Sequence, residues 1–299
     1  MKVLVYEAGV TGSLFSARLY EAGHDVSLLA RGERLTALRR DGVQLTAGDS
    51  PAVRRVTVPI GERPASGYDL TAVFVRAHQL DAVLESLAGL EGDVLFALSW
   101  AAGPAPLSAV IGQGRVLLGF PIDGGTMDGD VVRYRPANFM TRRFPMPIGE
   151  PDGRAAPRVE RIVRALRAAA IPAKAEPQMD TWLKTHAAFA VPLGQAVLAA
   201  GGPRALADDP DAIRAMIRLI RQNLAVLPTR PVPRGFAALQ TLRKHCSRSC
   251  CGVSCAARRP RIADSTMPRP PPRRPNLSGW PSRCAPGQRS GNRDRALVS

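Results

Sequence analysis

The chain has 299 residues, enough for two ordinary domains that each bury a core. Its apolar fraction of 45% suits a soluble globular protein, and no run nears the roughly 18 apolar residues of a membrane span. The net charge of +16 is unevenly spread: Cys246 to Ser299 holds eleven Arg, no Lys and two acids, a net of +9, and also all five cysteines.

The opening run Met1-Lys2-Val3-Leu4-Val5-Tyr6 passes straight into a strand pattern and meets Glu7. It has neither the long apolar region nor the small-residue cleavage site of a signal peptide, so a cytoplasmic location is expected. Lys2 to Tyr6 reads as a buried parallel strand. After Gly9 and Gly12, Ser13 to Ala22 reads as a helix, with Leu14, Phe15, Ala17 and Leu19 placed to pack on a sheet. Gly23-His24-Asp25 ends it, and Val26 to Ala30 is the next strand. This unit has the size of a βαβ repeat, about 30 residues. Alternation continues with helices at Arg34 to Asp41, Gln79 to Leu90 and Leu107 to Ile111. The strands between them are Val53 to Ile60, Asp69 to Val75, Val94 to Ser99 and Val116 to Phe120. Such a succession predicts an α/β fold, a parallel sheet covered on both faces. Beyond Gly149-Glu150-Pro151-Asp152-Gly153 the pattern turns helical, at Arg158 to Ala170, Asp180 to Ala200 and Pro210 to Leu227. The expected division is a nucleotide domain over 1–152, an incomplete all-helical domain over 153–242 and a disordered basic tail over 243–299.

The first turn carries the chemistry. A dinucleotide-binding turn of the Rossmann type spaces its glycines as G-x-G-x-x-G. The first makes the tight turn, the second lets a pyrophosphate approach the backbone, and the third lets helix and strand pack closely. Here those places hold Glu7, Gly9 and Gly12. If the first place needs φ > 0, Glu7 costs about 1 kcal/mol there; a plain strand–helix turn without ligand is the alternative. The residue after the second strand decides between cofactors. NAD-binding domains usually place an acid there for the ribose hydroxyls, whereas Arg31, with Arg34 close behind, suits a 2′-phosphate and hence NADP(H).

At this point the chain resembles the ketopantoate reductase family, the 2-dehydropantoate 2-reductases. The resemblance runs from the turn through Gly12-Ser13-Leu14-Phe15 and Leu28-Leu29-Ala30-Arg31-Gly32. It continues at Tyr68-Asp69-Leu70, Val75-Arg76-Ala77, Gly119-Phe120-Pro121 and Asp180-Thr181-Trp182-Leu183-Lys184-Thr185-His186. It covers residues 1 to about 242, and the last segment is its most specific part.

The resemblance implies hydride transfer from NADPH to a 2-oxo acid, giving a 2-hydroxy acid. Glu7, Gly9, Gly12, Arg31 and Arg76 would hold the cofactor, Arg76 standing where the family usually has a Lys. Lys184 would be the general acid and oxyanion stabiliser, because negative charge develops on the carbonyl oxygen as hydride arrives. Ser99 stands beside the expected cofactor and substrate where the family offers an Asn, and Ala188 where it offers a second. His186 lies about 200° round the helix from Lys184, which points to core or surface duty. A small 2-oxo acid is the expected partner, with no nucleic acid or membrane, and a second copy of the chain in a homodimer is entertained.

The family's second domain continues with helices bearing a Ser and an active-site Glu, and nothing after Leu242 resembles them. The tail has no hydrophobic period and too little apolar content for a core. Cys246, Cys250, Cys251 and Cys255 lie too close together for the usual zinc pairs. A basic arm that binds nucleic acid is a second reading. The favoured one is translation of GC-rich coding sequence out of register, which also explains the missing helices. Activity is then impaired, and a non-catalytic NADP(H)-binding or pseudogene product is the alternative.

Overall fold

In the computed structural model, which describes residues 1–122 and 124–236, the aliphatic run Lys2–Tyr6 forms strand β1. Its side chains alternate between faces, as strand geometry requires. Val3 and Val5 join one core, and Leu4 joins another on the opposite side. Helix α1 (Val10–Glu21), β2 (Asp25–Leu29) and α2 (Gly32–Asp41) complete the βαβ unit, with Val3 opposite Val26 in parallel register.

The chain then leaves for a small side sheet with β3 (Val43–Ala47) and β4 (Arg54–Val56), and returns with β5 (Ile60–Gly61) beside β2. The single strand predicted over 53–60 is therefore two short strands in two sheets. Pro59 stands between them; it has no N–H to give a ladder, and its carbonyl accepts from Leu28 at 2.9 Å.

Next come β6 (Leu70–Val73), a 3₁₀ turn at Ala77–Gln79, α3 (Asp81–Ala88), β7 (Asp93–Ala97), α4 (Ala105–Ile111) and β8 (Val116–Gly119). A hairpin of β9 (Gly125–Asp128) and β10 (Val131–Tyr134) completes the side sheet, whose order is β4-β3-β10-β9. Short helix α5 (Phe139–Arg143), β11 (Met146–Gly149), α6 (Pro157–Ala168) and β12 (Ala173–Ala175) follow. The large sheet has the order β12-β11-β8-β7-β6-β1-β2-β5, all parallel except where β11 meets β8. The expected α/β architecture is present. Sheet structure runs on past residue 152, because α6 packs on β11 and β12, and β12 extends the sheet edge.

Both faces are covered. Leu14, Phe15 and Leu19 of α1 and Val159, Ile162 and Leu166 of α6 fill one side. Val83, Leu84 and Leu87 of α3, Leu107 and Ile111 of α4, and Met179 and Leu183 fill the other. The last two begin α7 (Met179–Ala199), which then leaves the sheet and packs on α9 (Pro210–Ala225), with α8 (Pro203–Ala207) between them in sequence. Their shared core is small: Ala188, Ile220 and Leu224, with Phe189, Met216 and Leu227 against them. Leu198 and Val226 remain 83% and 81% exposed. Among the described residues no helix is long and apolar enough to cross a membrane. The predicted tail over 243–299, with its cysteines and its zinc, nucleic-acid and reading-frame interpretations, lies outside the described residues.

Candidate active site

The parallel strands β1, β2, β6, β7 and β8 all end on one edge of the large sheet, the edge where open α/β sheets take ligands. The first turn there has the geometry anticipated from its spacing. Glu7 adopts φ +88°, a conformation that favours glycine. A Cβ on Gly12 would overlap the Glu7 carbonyl oxygen and come within 3.3 Å of Val5 Cγ1, so only glycine lets α1 sit this close to β1. Gly9, which caps α1 with extended backbone, has no atom within 4 Å of where a Cβ would stand. Its bareness serves no internal packing. It leaves the backbone approachable at the N-terminus of a helix, where an anion is favoured.

Arg34 locks this turn. Its Nε donates to the Ala8 carbonyl at 3.2 Å, and its terminal nitrogens donate to Ser13 Oγ at 3.2 Å and the Asp130 carbonyl at 2.9 Å. Burial draws its pKa below the usual Arg range, against the pull of Asp130. The expectation that Arg34 supports Arg31 at a phosphate is therefore replaced by a structural duty: it ties α2 to the turn and to the β9–β10 hairpin. Arg31 itself is exposed at the start of α2 and makes no ion pair among the described residues. Arg31 and Glu7 line one pocket of about 280 Å³, with Tyr6, Ala8, Glu62 and Gln79. Arg76 is exposed beyond β6, and its backbone N–H donates to Gln79 Oε1 at 3.0 Å, which sets it beside the same pocket.

A second group gathers at the ends of β7 and β8. Ser99 is exposed two residues past β7, and Trp100 Nε1 donates to the Gly103 carbonyl at 2.6 Å, which closes the following loop. A Cβ on Gly103 would stand 3.9 Å from both Lys184 Nζ and Asp180 Oδ1. Lys184 is thus directed from α7 at the loop that Ser99 opens. Its Nζ donates to Asp180 Oδ2 at 2.6 Å. The i,i+4 spacing of Asp180 and Lys184 is a sequence signal for this pair. Asp180 Oδ1 is buried without a hydrogen-bond partner.

His186 leaves α7 on the other side, as its angular separation from Lys184 predicts. It stacks on Trp182 at 5.2 Å and lies 4.1 Å from the ring of Phe120 at the end of β8. Burial pushes its pKa below the ordinary imidazole value. Ala188 is 8% exposed within the α7–α9 core, so the place where the resemblance offers a second Asn holds packing here. Arg31 follows β2 and Lys184 reaches the loop after β7, and these two strands are separated by β1 and β6, three strand spacings or about 14 Å. Among the described residues no cluster of His, Cys, Asp or Glu could hold a metal ion.

Residues 3–135 match the family model of ketopantoate reductase PanE/ApbA. A 2-dehydropantoate 2-reductase of Mesorhizobium japonicum is 30% identical over 94 residues, 31% of this chain and 29% of that protein. One from Archaeoglobus fulgidus is 29% identical over 175 residues, 58% of this chain and 55% of that protein. The matches thus span about half, or less, of the curated relatives. Among solved structures, the 2-dehydropantoate 2-reductase of Porphyromonas gingivalis has a TM-score of 0.67 at 15% identity, covering 81% of this chain and 87% of that one. D-mandelate dehydrogenase, in a ternary structure with NADH and anilino(oxo)acetate, has a TM-score of 0.66 at 17% identity, covering 81% and 79%. These two show a shared fold.

Proposed function

We propose, from the match of residues 3–135 to the ketopantoate reductase family model, that the chain reduces a 2-oxo acid to a 2-hydroxy acid with NADPH. The observation that carries the reading is the direction of Lys184, from α7 onto the loop that follows β7. A cation there faces the sheet edge that also bears the glycine turn.

The turn fits a dinucleotide: Gly9 is bare toward solvent, Gly12 admits the helix, and Arg31 is an unpaired cation at the end of β2 for a 2′-phosphate. Arg76, Ser99 and Glu7 lie along the same edge. A bound reduced nicotinamide supplies the hydride. Lys184 donates a hydrogen bond to the substrate's carbonyl oxygen and passes it a proton as negative charge gathers there. Asp180 orients the ammonium by accepting from it one turn back. Ser99, with a short hydroxyl in place of an amide, offers a hydrogen bond beside the substrate.

The test is oxidation of NADPH by the purified full chain in the presence of 2-dehydropantoate and a set of other 2-oxo acids. Turnover that disappears in Lys184→Ala supports the proposal. Binding of NADPH without turnover on any 2-oxo acid favours the second reading, a non-catalytic NADP(H)-binding protein. That reading draws on Ala188, an apolar core residue at the place where the resemblance offers an Asn.

A further inference from the structure

The pocket at the end of β2 holds a group that the dinucleotide fingerprint does not call for. β5 pairs with β2 in parallel, Leu29 opposite Gly61, and the Ala30 N–H donates to the Gly61 carbonyl at 3.0 Å. That bond joins the residue before Arg31 to the residue before Glu62. The two side chains therefore leave the sheet edge at adjacent strand ends, and both line the same 280 Å³ pocket. Both are exposed, and no ion pair joins them. Arg34, the other guanidinium on this pocket, is committed to Ala8, Ser13 and Asp130.

A ribose seated here meets the unpaired cation of Arg31 and, from the neighbouring strand end, the unpaired carboxylate of Glu62, with Glu7 lining the same pocket from the β1 turn. The two charges favour different groups at its 2′ position. Arg31 attracts a phosphate, whereas a carboxylate repels that phosphate and accepts a hydrogen bond from a free hydroxyl, the part an acid usually plays from the end of the second strand itself. We propose that Glu62 is a specificity-determining residue that opposes Arg31, lowering the preference for a 2′-phosphate and allowing NADH to bind as well as NADPH. This rests on reading the pocket as the ribose end of a dinucleotide site, and the experiment separates the two.

NADPH and NADH are titrated separately into the full-length protein and its Glu62→Gln, Glu62→Lys and Arg31→Ala variants, followed by the fluorescence of the reduced nicotinamide. Glu62→Gln should tighten NADPH about threefold by removing a like charge and weaken NADH about tenfold by removing a charged acceptor. Glu62→Lys, equally exposed and so no threat to folding, should move the ratio further the same way. Arg31→Ala should weaken NADPH about tenfold and leave NADH within about twofold. Equal effects of the Glu62 variants on both nucleotides, or none, would overturn the role of Glu62 while leaving the dinucleotide site intact. Wild-type protein that binds neither nucleotide would overturn both.

Discussion

Lys184 and Asp180 are joined one turn apart on α7, Nζ to Oδ2 at 2.6 Å, with side chains 29% and 27% exposed. A part-buried i,i+4 pair of this kind contributes on the order of 1 kcal/mol or less to stability. Its effect is on direction: it fixes a long, flexible side chain toward the loop at Gly103. Lys184→Ala should therefore lower kcat by about two to four orders of magnitude, the usual worth of a general acid, with NADPH affinity unchanged. Lys184→Arg should stay nearly as slow, because a guanidinium does not give up its proton. Asp180→Asn should leave the melting temperature in place while kcat falls about tenfold through lost positioning. Steady-state rates beside nucleotide titrations decide this, and full activity in Lys184→Ala would refute the assignment.

Arg158, at the start of α6, ties three parts of the sheet layer together through its guanidinium. Its Nε donates to Glu150 Oε1 at 2.6 Å and a terminal nitrogen to Asp93 Oδ1 at 2.7 Å, and further bonds reach Glu150 Oε2 and the Gly114 and Val116 carbonyls. The Glu150 carboxylate, above all, raises the Arg158 pKa further. Glu150 is 6% exposed. Arg158→Met would leave it charged and unpaired, at a cost of about 3 kcal/mol, or about 10 °C in Tm. Pairing the change with Glu150→Gln should recover part of that loss. Calorimetry of both variants checks it; additive losses would show that the two residues act independently.

Much of the architecture was legible because it rests on periodicity. Buried parallel strands such as Val3-Leu4-Val5 are uniformly apolar, and the helices between them carry one apolar face. What escaped was short or set by distant partners. β3 alternates over only five residues, β11 becomes a strand because β8 offers an edge, and β12 because β11 then offers the next. The β9–β10 hairpin did carry a signal, the two-residue turn Gly129-Asp130 with Gly129 at φ +56°. At the site, the glycine spacing marks Glu7 as the position where positive φ would be costly, and φ there is +88°, whereas Lys184 stands out only through the family resemblance. The commitment of Arg34 has no such signal, since Asp130 lies far along the chain and only the fold brings its carbonyl to the guanidinium.

The aromatic setting of His186 makes a pH prediction. Its imidazole is packed between Trp182 and Phe120, and burial lowers its pKa relative to the unfolded chain. Below the unfolded value of about 6.5 the unfolded state binds a proton that the folded state refuses, so stability falls with acidification through this window. Above it the contribution is fully present. His186→Phe keeps the ring contacts and removes the proton site, so its urea midpoint should fall less between about pH 7 and pH 5 than that of the wild type. Some slope should persist, because burial also lowers the pKa of His24. Parallel slopes for both proteins would show that His186 is not coupled to folding.

The three positions of the first turn separate packing from binding. At Gly12 a methyl group would overlap the Glu7 carbonyl oxygen, so Gly12→Ala must push α1 off β1; overpacking of this kind costs about 1–3 kcal/mol, and nucleotide binding should go with it. At Gly9 the same methyl meets nothing within 4 Å, and φ is −71°. Gly9→Ala should therefore fold and melt like the wild type, and any loss of NADPH affinity must come from obstruction at the bare face of the helix N-terminus. At Glu7, with φ +88°, glycine should relieve about 1 kcal/mol of backbone strain, partly offset by the greater freedom of the unfolded chain. Glu7→Gly should also tighten NADPH, since it takes a carboxylate from the turn where a pyrophosphate is expected. Melting curves and NADPH titrations on the three variants should thus diverge: both properties lost at Gly12, binding alone at Gly9, both improved at Glu7. If Gly9→Ala bound NADPH as tightly as the wild type, the turn would be only a strand–helix connection, and the pyrophosphate would have to lie elsewhere.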